Sequence, residues 1–180
     1  MQTQPQMRIE LEPLAARVAL HPFLAGMNRT HLRLLTDCAM AAQFKPGQTI
    51  LREGDFANRF YLIETGRVVL ESDAAIDDPV LLETIGAGDL LGWSWIFPPY
   101  VWHFTARAIE PTTALFFYGT ILREYCEKDH SLGYELFKRM SMVMTKRLQA
   151  ARKQMLRLHV DAPTSEPDGA SIGRQRAIAI

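Results

Sequence analysis

The sequence predicts an α+β domain, an antiparallel β-sandwich or barrel preceded by short helices and followed by one long helix. Three observations carry this. Between Phe44 and Tyr118, short alternating runs of four to seven residues are separated by glycine-bearing turns, leaving no room for the helices that join parallel strands. Before Phe44 and after Tyr118 the apolar spacing returns to three and four residues. From Ser131 to His159 no proline or glycine occurs beyond Gly133, so nothing interrupts a long helix.

In chain order, residues 1–12 are polar and aperiodic, and are expected to be flexible. From Leu14 to Ala42 two short helices are expected. Leu14, Val18 and Leu20 form the first, Pro22 interrupts, and Asn28 or Thr30 caps a second carrying Leu32, Leu35 and Met40. The strand region follows: TILRE after the KPGQ turn, FANRFYLIE after Gly54-Asp55, VVLES after ThrGlyArg, then PVLLETI, and LLGWSW after GlyAlaGlyAsp. The last two strands are placed at His103–Ile109 and Thr113–Tyr118. A short helix holds Ile121, Leu122 and Tyr125. The long one runs from about Ser131 to His159, and residues 161–180, which lack periodic apolar spacing until the last four, are expected to be a disordered tail. The folded domain is therefore placed at residues 13–160.

Composition limits what such a domain does. The 180 residues carry 20 basic and 20 acidic side chains and only two cysteines, Cys38 and Cys126, which excludes a disulfide-built scaffold and leaves no CxxC metal spacing. No basic segment leads into an apolar leader and no apolar run approaches a membrane span, so a cytoplasmic protein without membrane attachment is expected. The histidines are scattered without a metal-ligand motif, and GWSWI fails the nucleophile-elbow pattern because Ile96 replaces its second glycine. No catalytic residue, metal site or cofactor is implied.

The neutral net charge conceals a split. Residues 1–130 hold 11 basic and 16 acidic groups, residues 131–160 hold 7 and 1, and residues 161–180 hold 2 and 3. Within the basic segment, Tyr134, Phe137, Ser141, Met144, Leu148, Ala151, Met155 and Leu158 alternate steps of three and four, a heptad seam. Leu136, Met140 and Val143 form a second stripe directed elsewhere. One stripe for the domain's own core and another for a partner predicts a homodimer through Phe137, Met144, Leu148, Ala151, Met155 and Leu158. The basic residues themselves read either as a solvated face or as an attraction for an anionic partner.

Three segments carry a family resemblance: KPGQTILREGD, FYLIETGRV and GAGDLLG. With the flanking helices, over about residues 20–158, they resemble the cyclic-nucleotide-binding domain of the catabolite activator protein superfamily, also found in kinase regulatory subunits and gated channels. The resemblance implies a jelly roll, or double-stranded β-helix, with a phosphate-binding cassette after Gly92 and a long C-terminal dimerisation helix. In that family a glutamate directly after the cassette's first glycine holds the ribose and an arginine nine residues later pairs with the cyclic phosphate. With ThrAlaArgAla (Thr105 to Ala108) set on the family strand, Trp93 and Trp102 occupy those positions. Indole offers one donor and no charge, so ordinary binding of cyclic AMP or cyclic GMP is not expected.

Six aromatics fall within the 12 residues from Trp93 to Phe104. Two readings stand together. The cluster lines a cavity for a small-molecule ligand, with Gly92, Trp93, Ser94, Trp95, Trp102, His103, Thr105 and Arg107 as candidate pocket residues. Alternatively, the rings fill the vacant pocket and pack against Met140, Met142 and Met144. A third use of the cluster is docking a partner protein. The family implies motion of the cassette against the long helix, with a hinge near Tyr125 to Gly133, placed at Gly133. Only 21 residues follow His159, too few for a helix-turn-helix domain, so sequence-specific DNA binding is not expected. The function expected is a non-catalytic regulatory or sensor module; the alternative is a cyclic-nucleotide-responsive transcription regulator or a nucleic-acid-associated protein using the basic helix.

Overall fold

Runs such as RFYLIET and TTALFFY hold unbroken apolar stretches, FYLI and ALFFY, at their centre or end, a pattern that fits strands buried on both faces rather than strands with one wet side. The computed structural model, which describes residues 13–72 and 79–160, places these runs centrally. The elements are α1 (Leu14–Leu20), α2 (Arg29–Asp37), β1 (Ala39–Phe44), β2 (Thr49–Leu51), β3 (Arg59–Thr65), β4 (Arg67–Ser72), β5 (Val80–Gly86), β6 (Leu90–Leu91), β7 (Thr105–Ala108), β8 (Thr112–Tyr118), α3 (Gly119–Lys128) and α4 (His130–Val160). Two four-stranded antiparallel sheets result, ordered β1-β8-β3-β6 and β2-β7-β4-β5. This is the jelly roll with a long C-terminal helix.

Alternation along β3 and β8 sorts their side chains into two cores. Phe60 and Leu62, with Leu115 and Phe117, face a cluster closed by Val18 of α1, Leu35 of α2, Leu122 of α3 and Leu132, Leu136 and Met140 of α4. Tyr61 and Ile63, with Ala114 and Phe116, face the space between the sheets and meet Leu51, Val68, Leu70, Ile85 and Ala106. Each fully buried Leu, Ile or Phe contributes about 1.5–3 kcal/mol, so the first sheet, covered on both faces, anchors the fold.

The helix ends are fixed by polar side chains. Asn28 Oδ1 accepts from His31 N at 2.8 Å and starts α2. Asp129 Oδ1 accepts from the Ser131 and Leu132 amides at 3.0 and 3.1 Å and starts α4, while its Oδ2 lies 3.2 Å from Nε2 of the buried His31. Those two amides, Leu132 first, hold the Asp129 carboxyl below its ordinary pKa.

One expectation needs correction. Residues 39–42 do not extend the second helix. They begin β1, whose register pairs Ala39 with Phe117 and Met40 with Phe116, because a partner strand satisfies their backbone better than a helix end after Cys38 would. The hinge expected near Tyr125 to Gly133 spans the break between the last two helices. The break is Asp129, at φ −124° and ψ 92°, and Gly133 lies inside α4, where a Cβ would come 3.2 Å from Cys126 Cβ. Its small size serves a close helix approach. The flexible N-terminus expected at 1–12 and the tail expected at 161–180 lie outside the described residues, as does the Leu158 side chain.

The chain divides into two compact units, Met1–Val143 and Met144–Ile180. The first holds both sheets, and within it the stripe Leu136 and Met140 is buried, with Val143 packed on the same core. The second, in its described part, is the distal half of α4, where Leu148 and Met155 are 71% and 68% exposed.

Candidate functional site

The segment from Gly92 to Thr105 leaves β6 and returns to β7, and it opens with a glycine for a physical reason. Gly92 has φ +83°, and a Cβ there would come within 2.9 Å of Trp102 Cη2 and Cζ3; a side chain would suffer both backbone strain and a clash with the ring. The Trp102 indole is 3% exposed and sits in the core between the sheets with Leu51, Tyr61, Leu91 and Phe104. Its backbone is clamped from both sides, since Gly54 N donates to Trp102 O and Trp102 N donates to Asp55 O, each at 2.9 Å, and Ala57 N donates to Tyr100 O at 2.6 Å.

Trp95 goes the other way. It sits in a short 3-10 turn, Ser94–Ile96, stacks on Phe60 at 5.4 Å between centroids, and joins the helix-covered core that also holds Met140. Gly119, the first residue of α3, admits it: a Cβ there would meet Trp95 Cβ at 2.8 Å. Ser94 Oγ and Trp95 Nε1 are buried with no hydrogen-bond partner among the described residues. Trp93 is half-buried, with its ring 6.4 Å from that of the exposed His103.

On β7, Thr105 and Arg107 share the half-exposed face while Ala106 and Ala108 are buried. Thr105 Oγ1 accepts from Glu53 N at 3.1 Å, and Arg107 pairs with Glu71 of β4. The candidate residues therefore divide three ways. Gly92 and Trp102 meet in the interior, Trp95 lies in the helix-covered core with Trp93 packed against it, and His103, Thr105 and Arg107 lie toward solvent. No Asp, Glu, Lys or Arg occurs from Gly92 to Thr105, so a nucleotide phosphate would meet no fixed cation in this segment.

Arg123 of α3 was not singled out by sequence reasoning. Its Nη1 donates to Trp95 O, and its guanidinium lies over the Tyr100 ring at 4.6 Å, a cation–π contact. Tyr100, just after the cis Pro98–Pro99 bond, has φ +56°, unusual for a bulky residue. Phe97 adds an edge-on contact to Phe137 of α4, centroids 6.2 Å apart. One arginine and one ring thus tie the cassette to the two helices that follow it. A lone arginine in a helix gives no sequence signal for this role.

A cleft of about 280 Å³ lies elsewhere, lined by Arg17, Leu20, His21, Pro22, Ile63, Glu64, Ala87 and Gly88. Its charged groups are engaged with each other: Arg17 Nε and Nη2 donate to Glu64 Oε1 and Oε2 at 2.9 and 2.6 Å, a bidentate pair. His21 Nδ1 accepts from Phe23 N, so Nε2 carries the proton and donates to Ile63 O at 3.0 Å. Burial lowers the His21 pKa, which the Ile63 carbonyl and the Glu64 and Asp89 carboxylates partly oppose.

A jelly roll with a cassette between β6 and β7 and two helices after β8 defines the regulatory domains that bind cyclic nucleotides. The family model described as "Cyclic nucleotide-binding domain" matches residues 41–129, and this part of the chain belongs to that family. A putative cyclic nucleotide-binding protein from Geobacter metallireducens has the same fold, with a TM-score of 0.68 at 23% identity, covering 76% of this chain and 99% of that one. A cAMP-binding acyltransferase from Mycobacterium smegmatis, solved as a point mutant, aligns with a TM-score of 0.62 at 26% identity over 76% of this chain and 41% of its own. The acetyltransferase Pat of Mycolicibacterium smegmatis is 36% identical over 81 residues, 45% of this chain. The match spans about a quarter of Pat, 24% of its length. Domains related to this one therefore occur within enzymes.

Proposed function

We propose that the chain is a non-catalytic regulatory module of the cyclic-nucleotide-binding type whose nucleotide position is filled by its own side chains. The observation that carries this is the Trp102 indole, 3% exposed between the sheets and seated on Gly92. A jelly roll with a buried tryptophan and no charged residue in its cassette keeps the fold and gives up the electrostatic grip on a phosphate. The cassette is held against α3 by Arg123, so its position depends on protein contacts rather than on a bound second messenger. The relatedness to part of an acetyltransferase supports regulation of an enzyme carried on another chain or another domain. Cytoplasmic work is part of the reading, supported by two free cysteines; no described helix is long and apolar enough to cross a membrane.

Thermal melts of the purified protein with cyclic AMP, cyclic GMP and cyclic dinucleotides test the reading. A ligand at about 100 times its dissociation constant adds about 2.7 kcal/mol. No shift is expected; a shift with any of them sinks the filled-pocket reading and restores second-messenger sensing. The exposed basic residues of the distal α4 favour the alternative of a nucleic-acid-associated regulator, checked by salt-dependent retention on duplex DNA. The expected homodimer has the exposed apolar stripe of α4 in its favour, and the charge along the same helix weighs against it.

A further inference from the structure

We infer that the distal half of α4, residues 144–157, is a docking face for a helix of a different chain whose apolar seam is edged by aspartate and glutamate. The inference names a partner class for the regulatory module proposed above, and it is independent of what the cassette binds. Met144, Leu148, Ala151 and Met155 step by four, three and four, a 3.5-residue period that keeps one narrow line of side chains facing a second helix. Leu148 and Met155 stand 71% and 68% exposed, so among the described residues of this unit these two positions of the line are open to solvent.

Charge selects the occupant. Lys146, Arg147, Arg152, Lys153 and Arg157 fall on this stretch, and no acidic residue occurs between Glu135 and Asp161. With Leu148 and Met155 at a, Met144 and Ala151 fall at d, so the exposed Arg152 borders the seam on one side, and Arg147, half-buried with one guanidinium nitrogen buried, on the other. A second copy laid alongside in either direction brings no acidic side chain to those edges, which Thr145 and Gln154 share with the arginines, whereas a glutamate opposite the exposed Arg152 would meet a guanidinium. The apolar line separates this partner from two other anions. Duplex DNA would engage the basic groups and leave Leu148 and Met155 in water. A helix that lies in a lipid interface carries Trp, Phe or Leu on its apolar face; here the line holds one leucine, Leu148, and there is no Phe, Trp or Tyr from Lys138 to Val160.

The test uses the full chain and a synthetic peptide of about three heptads with Leu at a and d and Glu at e and g, labelled for fluorescence anisotropy. The comparison probes are the same peptide with Lys at e and g, a DNA duplex, and phosphatidylserine-containing vesicles. Sedimentation velocity reads self-association. The expected result is a monomer that binds the Glu peptide about tenfold or more tightly than each other probe, with affinity falling as salt rises. Arg152→Glu should cut the preference for the Glu peptide several-fold, whereas Lys153→Glu, at position f and away from the seam, should leave it nearly unchanged. Leu148→Asp should abolish binding while the thermal melt of the sheet domain is unchanged. A stable dimer that the Glu peptide does not displace makes a second copy the occupant and overturns the inference. Equal or tighter binding of DNA or vesicles, or equal binding of both peptides, overturns it as well.

Discussion

Truncating Trp102 to alanine asks whether the cassette is a core element or a vacant site. The indole is 3% exposed within the apolar cluster between the sheets, and loss of a buried tryptophan side chain costs about 3–5 kcal/mol, the transfer term plus the cavity left behind. For a chain of this size each kcal/mol moves the midpoint by about 2–4 °C, so Trp102→Ala should lower Tm by roughly 6–20 °C. Urea unfolding followed by far-UV circular dichroism measures the same quantity without relying on the fluorophore removed. A second substitution makes the test specific. Gly92→Ala combines the strain of φ +83° with a Cβ 2.9 Å from the indole. In the Trp102→Ala background only the strain, of order 1–3 kcal/mol, remains. The two substitutions should therefore be less than additive, with a coupling of about 0.5–3 kcal/mol. A Trp102→Ala cost below about 1 kcal/mol, together with additive behaviour, would refute the assignment of Trp102 as the filling of the pocket.

Three further outcomes are expected. Removing the Arg123 side chain should loosen the cassette: a charge-assisted hydrogen bond and a cation–π contact are together worth about 2–4 kcal/mol, so amide exchange across residues 95–101 in Arg123→Ala should speed up by at least tenfold, and unchanged exchange would show that the latch is idle. His21 is buried with its pKa lowered by desolvation, so the unfolded chain takes up the proton first. Stability should fall as pH drops below about 6.5 toward the lowered native value, and urea titrations should show a smaller fall over that window for His21→Gln; an identical fall would remove His21 as its source. Cys38 is 8% exposed, and burial pushes its thiol up to about 11, so in the native protein iodoacetamide should label the half-buried Cys126 first, as read by peptide mass spectrometry; preferential labelling of Cys38 would contradict its burial in the helix-covered core.

The sheet was legible in the sequence and the site only partly so, for different physical reasons. Glycine turns and period-two runs are local signals, and each predicted strand segment overlaps an observed strand because a turn such as Gly54-Asp55 acts over a few residues. The four residues from Ala39 to Ala42 read as helix because alanine and methionine favour it, while the pairing with β8 that makes them a strand comes from more than 70 positions away. The same limit governs the site. The proposed loss of the carboxylate and the guanidinium was legible at Trp93 and Trp102, since that reading concerns residue type at a fixed spacing. Which ring turns inward could not, because Trp95 is admitted by Gly119 and Trp102 by Gly92, and the first of these partners lies beyond the cassette. Arg123 was invisible for the same reason: its role depends on the Trp95 carbonyl and the face of Tyr100, neither marked by any local pattern. On the reading proposed here, a domain without those ligand groups must hold its cassette by some other means. Here the substitutes are side chains contributed from outside it, so the functional state of such a domain is written in its tertiary contacts more than in its motif.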